Sequence, residues 1–171
     1  KIVGADEYSN YLFPAKEVPR VNNHSAVNFE LIMSLEPDLI IAWGSGNGKR
    51  TVGRLRGLGL PVFVVETKKI SQIPSLYLRL GALIGETSAA NKMAEFFSTT
   101  IVDLNNRDER KVTVFYEIWN DPLMTLSGEH LVSDVITLCG GKNIFEDLKG
   151  IASIVSIESV IAADPEVIIT S

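Results

Sequence analysis

Two stretches of the chain are copies of one pattern. Residues 28–41 read NFELIMSLEPDLII and residues 156–169 read SIESVIAADPEVII, fourteen positions without a gap at an offset of 128 (156 minus 28). Each begins with a residue suited to cap a helix, Asn28 or Ser156, and carries Glu30 or Glu158 two places later, where an acid complements the helix dipole. Apolar residues then recur at helical spacing, an acid and a proline stop the helix, and a β-branched run follows. A capped helix ending at proline is common taken singly. Two ungapped copies with the same acid-Pro-acid stop, Glu36-Pro37-Asp38 and Asp164-Pro165-Glu166, point to a duplicated helix-strand unit and hence to two related lobes.

The rest of the chain follows the same alternation. Strand-like runs at 2–5, 39–42, 62–66, 112–118 and 167–170 lead into turns and mostly into helical periodicity, which predicts an α/β fold of parallel sheets flanked by helices. Residues 86–106 place Ala90, Met93, Phe97, Ile101 and Leu104 on one helical face, with Thr87 or Ser88 available as the cap. Such a helix, about 30 Å long at 1.5 Å per residue, would join the lobes. The organisation expected is an N-terminal lobe at 1–85, a linker helix at 86–109 and a C-terminal lobe at 110–171. The repeat also predicts that both lobes are incomplete. The second copy is preceded by a strand and helix (112–139) that run through GGKNIF, whereas the first is preceded only by KIVGAD, and Ser171 is the counterpart of Trp43.

Composition narrows the function. The chain has 46% hydrophobic and 22% charged residues, as an ordered globular domain does, and its formal charge of −5 gives nucleic acid no electrostatic hold. Apolar runs such as 39–43 and 62–65 are far too short to span a bilayer as a helix. Cys139, the single cysteine, falls beside Val135 and Leu138 on an apolar helical face and reads as a buried structural thiol. His24 and His130 lack partners at metal-ligand spacing, and no Gly-x-Ser-x-Gly nucleophile elbow occurs.

The stretch IIAWGSGNGKRT, residues 40–51, looks like a strand entering a phosphate loop, but the spacing fails. Five positions before Gly48 stands Trp43 instead of glycine, and Arg50 follows Lys49 where a hydroxyl is needed. The dinucleotide fingerprint fails too, for want of a third glycine. What remains is a tryptophan at the mouth of a strand beside a polar, glycine-rich loop containing Gly44, Ser45, Gly46, Asn47 and Gly48. Ligands of open parallel sheets bind beyond the carboxyl ends of strands. Asp6, Glu7, Tyr8 and Tyr11 follow the first predicted strand, Trp43 follows the second and Trp119 follows the long strand of the second lobe. Exposed aromatics there suit the stacking of a large flat ligand, with the glycines leaving room for it; the alternative is that they cover loop bases. The basic run Lys49, Arg50, Arg54 and Arg56 reads as a solvated helix face, and no pair of carboxylates or nucleophile with its base stands at catalytic spacing.

DEYSNYLFPAKEVPRV, NFELIMSLEPDLIIAWGSGN and VFYEIWNDPLMTLSGEHLVSDVITLCGGKNIFEDL together resemble the substrate-binding proteins of bacterial ABC importers for cobalamin and iron chelates, and AWGSGN is most similar to the cobalamin-binding branch. The resemblance covers nearly the whole chain. It implies two α/β lobes joined by one rigid helix, a metal chelate (cobalamin, an Fe(III)-siderophore or haem) held between them, and no catalysis or cofactor of the protein's own. The partners implied are a membrane permease and its ATPase, at a periplasmic or extracytoplasmic membrane-tethered location. Carried onto this sequence, the ligand contacts are Tyr8, Tyr11, Trp43, Gly44, Ser45 and Asn47 in lobe one and Trp119 and Met124 in lobe two. In a haem receptor Tyr8, Tyr11 or His24 would be the axial ligand. A nucleotide-dependent α/β enzyme is the alternative from another class, and the failed phosphate patterns weigh against it. One departure stands out: Lys49 occupies about the place where the cobalamin branch carries a permease-docking glutamate, and no acid occurs from Leu39 through Val65.

Overall fold

The computed structural model describes residues 1–11, 13–22, 26–105 and 111–170. His24, Ser171 and residues 106–109 of the expected linker helix lie outside them. Contacts divide the chain into two compact units, Lys1–Glu66 and Thr67–Ser171. The helices Ile73–Ile84 and Thr87–Asn105 both fall in the second.

The first unit runs β1 (Ala5–Asp6), α1 (Phe13–Lys16), β2 (Arg20–Asn22), α2 (Phe29–Ser34), β3 (Ile40–Trp43), α3 (Gly44–Gly57) and β4 (Val62–Val65). Strands β1 and β2 pair in parallel, and β3 and β4 form a second parallel pair in unbroken register from Ile40 with Val62 to Trp43 with Val65. Helix α3 is the crossover between β3 and β4 and buries Val52 and Leu55, while Ala42 is buried on β3 and Ile32 on α2. The Arg54 guanidinium lies 4.1 Å from the centre of the Phe29 ring, so one member of the basic run pins α3 to α2.

The second unit opens with a 3-10 turn at Ile70–Gln72 and continues through α4 (Ile73–Ile84), α5 (Thr87–Asn105), β5 (Val112–Asn120), β6 (Leu123–Leu126), α6 (Leu131–Leu138), β7 (Gly141–Asn143), β8 (Ala152–Ile154), α7 (Ile157–Ala163) and β9 (Val167–Thr170). Gly85, at φ 77°, ends α4 in the left-handed conformation, and Ala90 N–H donates to Glu86 O. Glu86, one residue ahead of Thr87, therefore takes the cap position of α5. A Cβ on Gly81 would stand 2.2 Å from the Cβ of Ala90, so α4 and α5 approach as closely as they do because both residues are small. Tyr77 and Phe97 close the same pair edge to face at 6.3 Å.

Strand β5 is central: Val114 pairs in parallel with Asn143 of β7 and with Val167 of β9. The sheet also holds antiparallel strands, because the Asp121-Pro122 turn sends β6 straight back along β5 and β8 joins β6. Val114, Phe115 and Leu126 of the sheet are buried together with Ile136 on α6 and Val160 on α7. A polar knot sits among them. Asn143 Nδ2 donates to Leu126 O at 2.7 Å and to Ser133 Oγ at 2.8 Å, and its Oδ1 accepts from Phe145 N–H at 2.9 Å. Phe145 meets Phe115 edge-on at 5.8 Å. LCGGKNIF is thus a packing motif of the second unit: its asparagine joins three segments and its phenylalanine completes the core.

The duplication is visible in backbone detail. Asn28 Oδ1 accepts from Leu31 N–H and Ser156 Oγ from Ser159 N–H, each three residues on. The buried residues Ile32 and Val160 are counterparts, and so are the only two non-glycine residues at positive φ among the described ones, Glu36 (46°) and Asp164 (44°). Proline after each bars a right-handed continuation, and one left-handed residue turns the chain toward its strand. Cys139 departs from expectation. It is exposed at the C-terminal cap of α6, past the last helical turn, where side-chain periodicity no longer assigns a face. No helix among the described residues is long and apolar enough to cross a membrane.

Candidate ligand-binding site

Trp43 ends β3 and is 58% exposed. The next four residues are no open loop. Gly44 to Asn47 form one helical turn, and the helix breaks at Gly48, whose φ of 72° and ψ of 155° lie outside the range comfortable for any residue with a side chain, before it resumes through Gly57. The indole lies against this turn: a Cβ on Gly46 would meet Trp43 Cε3 at 2.1 Å. One face of the ring is thus covered by backbone, and much of the remainder meets solvent. The glycine that the sequence offered as room for a ligand makes room first for the tryptophan itself.

Hydrogen bonds fix the turn at both ends. Trp43 N–H donates to Asn47 Oδ1 at 2.7 Å. Glu66, the residue after β4, accepts from Ser45 N–H at 2.6 Å through Oε2 and from Ser45 Oγ at 3.1 Å through Oε1. A Cβ on Gly44 would stand 2.6 Å from that same Oε2. The helix N-terminus that a phosphate loop would turn toward an anion is therefore already capped by a carboxylate of the chain. An open depression lined by Lys49, Val52, Arg56, Val64 and Glu66 lies beside it.

Tyr8 and Tyr11, 64% and 96% exposed, follow β1. Their loop is tied down by Asp6, whose Oδ1 accepts from Tyr8 N–H at 2.9 Å and whose Oδ2 accepts from Asn22 Nδ2 at 2.8 Å. Arg20 Nη1 donates to Asp6 O at 2.8 Å. Arg20 and Asn22 are the supporting residues that pattern reading did not single out, since they reach Asp6 across fourteen to sixteen positions of sequence.

In the second unit Trp119 lies within β5, which runs on to Asn120, and is the cross-strand partner of Met124 on β6. The expected pair is thus brought together. Trp119 is 60% exposed and donates from Nε1 to Asp121 O at 2.8 Å, so the hairpin turn orients its ring. His130 caps α6 by accepting Val132 N–H at Nδ1. Among the described residues no three His, Cys, Asp or Glu side chains are grouped closely enough to hold a metal ion. The arrangement offers exposed aromatic faces on stiff supports and a few polar groups, which is the chemistry of stacking recognition.

The chain is similar to several known proteins. The vitamin B12-binding protein of Vibrio cholerae serotype O1 is 38% identical over 173 aligned residues, covering 100% of this chain and 63% of the relative. The chain thus spans about 63% of the length of that curated relative. The crystal structure of the periplasmic vitamin B12-binding protein BtuF of Vibrio cholerae superposes with a TM-score of 0.90 at 37% identity, over 99% of this chain and 67% of that one. The periplasmic heme-binding protein HutB of Vibrio cholerae shares the fold at a TM-score of 0.83 and 20% identity, over 99% of this chain and 67% of its own. The sequence profile of the periplasmic binding proteins matches residues 1–171, and the chain belongs to that family.

Proposed function

We propose that this chain is the ligand-binding part of an extracytoplasmic component of an ABC importer, and that the ligand it captures is a corrinoid of the cobalamin type. The observation that carries the reading is the Trp43 shelf, an indole backed by Gly46 and left open to solvent, in a chain 38% identical to a vitamin B12-binding protein. A flat macrocycle laid on such a shelf gains apolar burial and dispersion with little ordering of the protein, because the ring's support is already fixed. Tyr8 and Tyr11 in the first unit, and Trp119 with Met124 in the second, are the further contacts of this reading, with Gly44, Ser45 and Asn47 shaping the turn behind Trp43. The protein binds and releases; it supplies no catalytic group and no metal ligand of its own.

The bound chelate passes to a membrane permease driven by an ATPase. Lys49 is exposed on α3 and presents a positive charge there, so a permease that docks on this position would meet it with an acid. Equilibrium dialysis of the full-length protein against cyanocobalamin, haemin and a ferric hydroxamate siderophore tests the ligand class. Retention of cyanocobalamin in preference to the other two is expected. Preferential retention of haemin or of the siderophore would overturn the corrinoid reading, and retention of none would overturn chelate capture.

A further inference from the structure

A single helical turn does not hold itself. The turn formed by Gly44 to Asn47 has a break at Gly48 on one side and a strand end on the other, so cooperative helix propagation cannot supply its stability. Its shape depends on anchors from outside. Asn47 supplies one by accepting Trp43 N–H at 2.7 Å. Glu66 supplies the other from 21 positions away, gripping both the backbone N–H and the hydroxyl of Ser45 at 2.6 and 3.1 Å. Bonds from N–H and O–H to a carboxylate are charge-assisted and stronger than neutral ones. The absence of a side chain at Gly44 is what lets the carboxylate come this close, and the absence of one at Gly46 is what lets the indole lie on the turn. Glu66 is itself exposed and, through Ser45, is linked to the backing of the Trp43 ring.

We propose that Glu66 is a positioning residue for ligand capture: its carboxylate locks the Gly44–Asn47 turn and thereby holds the Trp43 indole in one orientation before any ligand arrives. The proposal rests on the reading of Trp43 as the stacking platform, and it adds a residue that does not touch the ligand. A locked ring pays its ordering entropy during folding, whereas a loose ring pays it on binding.

The test uses the full-length protein with Trp119, and every tryptophan outside this sequence, replaced by Phe, so that Trp43 is the one emitting indole. Glu66→Ala is expected to lower the fluorescence anisotropy of Trp43 in the absence of ligand and to raise the Kd for cyanocobalamin by about tenfold. Glu66→Gln, which keeps an acceptor for Ser45 N–H, is expected to recover most of the anisotropy. In a Trp43→Ala background Glu66→Ala is expected to leave the Kd where Trp43→Ala alone puts it. If Glu66→Ala unfolds the protein by far-UV circular dichroism, Asn47→Ala removes the other anchor and is expected to give the same loss of anisotropy. Unchanged anisotropy in Glu66→Ala, or in Asn47→Ala where that variant replaces it, overturns the proposal. An equal loss of affinity with and without Trp43 overturns it too, since Glu66 would then act on the ligand or the whole fold. If the unsubstituted protein binds no cyanocobalamin, the functional reading fails while the ligand-free anisotropy still decides whether Glu66 orients the ring.

Discussion

Replacing Gly46 with alanine separates the platform from the fold. The added methyl would stand 2.1 Å from Cε3, 2.6 Å from Cζ3 and 2.7 Å from Cδ2 of Trp43, all far inside contact distance. Three ring atoms are struck at once, so no small rotation relieves the clash and the indole must leave the turn. The folding cost is small: a displaced rotamer costs about 0.5–1.5 kcal/mol, and alanine in place of glycine in a helical turn returns up to about 1 kcal/mol. Net stability should stay within roughly 1 kcal/mol of the parent by thermal unfolding. Ligand affinity should behave differently. Loss of a stacking anchor removes about 1–3 kcal/mol of binding, or roughly 5- to 150-fold in Kd. Titration with cyanocobalamin should therefore show Gly46→Ala binding about as weakly as Trp43→Ala, with the two substitutions together no worse than either. Parent-like affinity in a folded Gly46→Ala protein would refute the geometry argued for the ring.

Two predictions concern the second unit. Gly81→Val should push α4 from α5, because even a Cβ there meets Ala90 Cβ at 2.2 Å, and should destabilise by about 1–3 kcal/mol in urea unfolding. Asn143→Leu should cost about 3 kcal/mol or more on the same measurement, since Leu126 O, Ser133 Oγ and Phe145 N–H each lose a buried partner.

Local chemistry was the legible part of this chain. The helix caps at Asn28 and Ser156, the acid-Pro stops and the strands after them are written within fourteen residues each, and the structure repeats them down to the left-handed Glu36 and Asp164. Trp43 was legible as an exposed residue at a strand mouth, because tryptophan followed by glycines is a poor core pattern. What holds Trp43 was not. Glu66 meets Ser45 only because β4 returns beside β3, and no short window contains both residues. The polar knot around Asn143 was hidden for the same reason: it joins β7, the end of β6 and α6, and depends on which strands are neighbours. The burial predicted for Cys139 failed at a helix end, where a shift of one residue moves a side chain to the other side. The antiparallel return of β6 was signalled only by the brief Asn-Asp-Pro turn, which strand-helix alternation outweighed.

The central claim is that Trp43 is a ligand platform fixed before binding. The most direct measurement is quenching of its fluorescence by cyanocobalamin in the full-length protein with every other tryptophan, Trp119 included, replaced by Phe, corrected for absorption by the ligand with free tryptophan as reference. Saturable quenching in excess of that reference, lost in Gly46→Ala, is the result predicted. Quenching no greater than that of free tryptophan, with the ligand shown by dialysis to be bound, would place the corrinoid elsewhere and contradict the account.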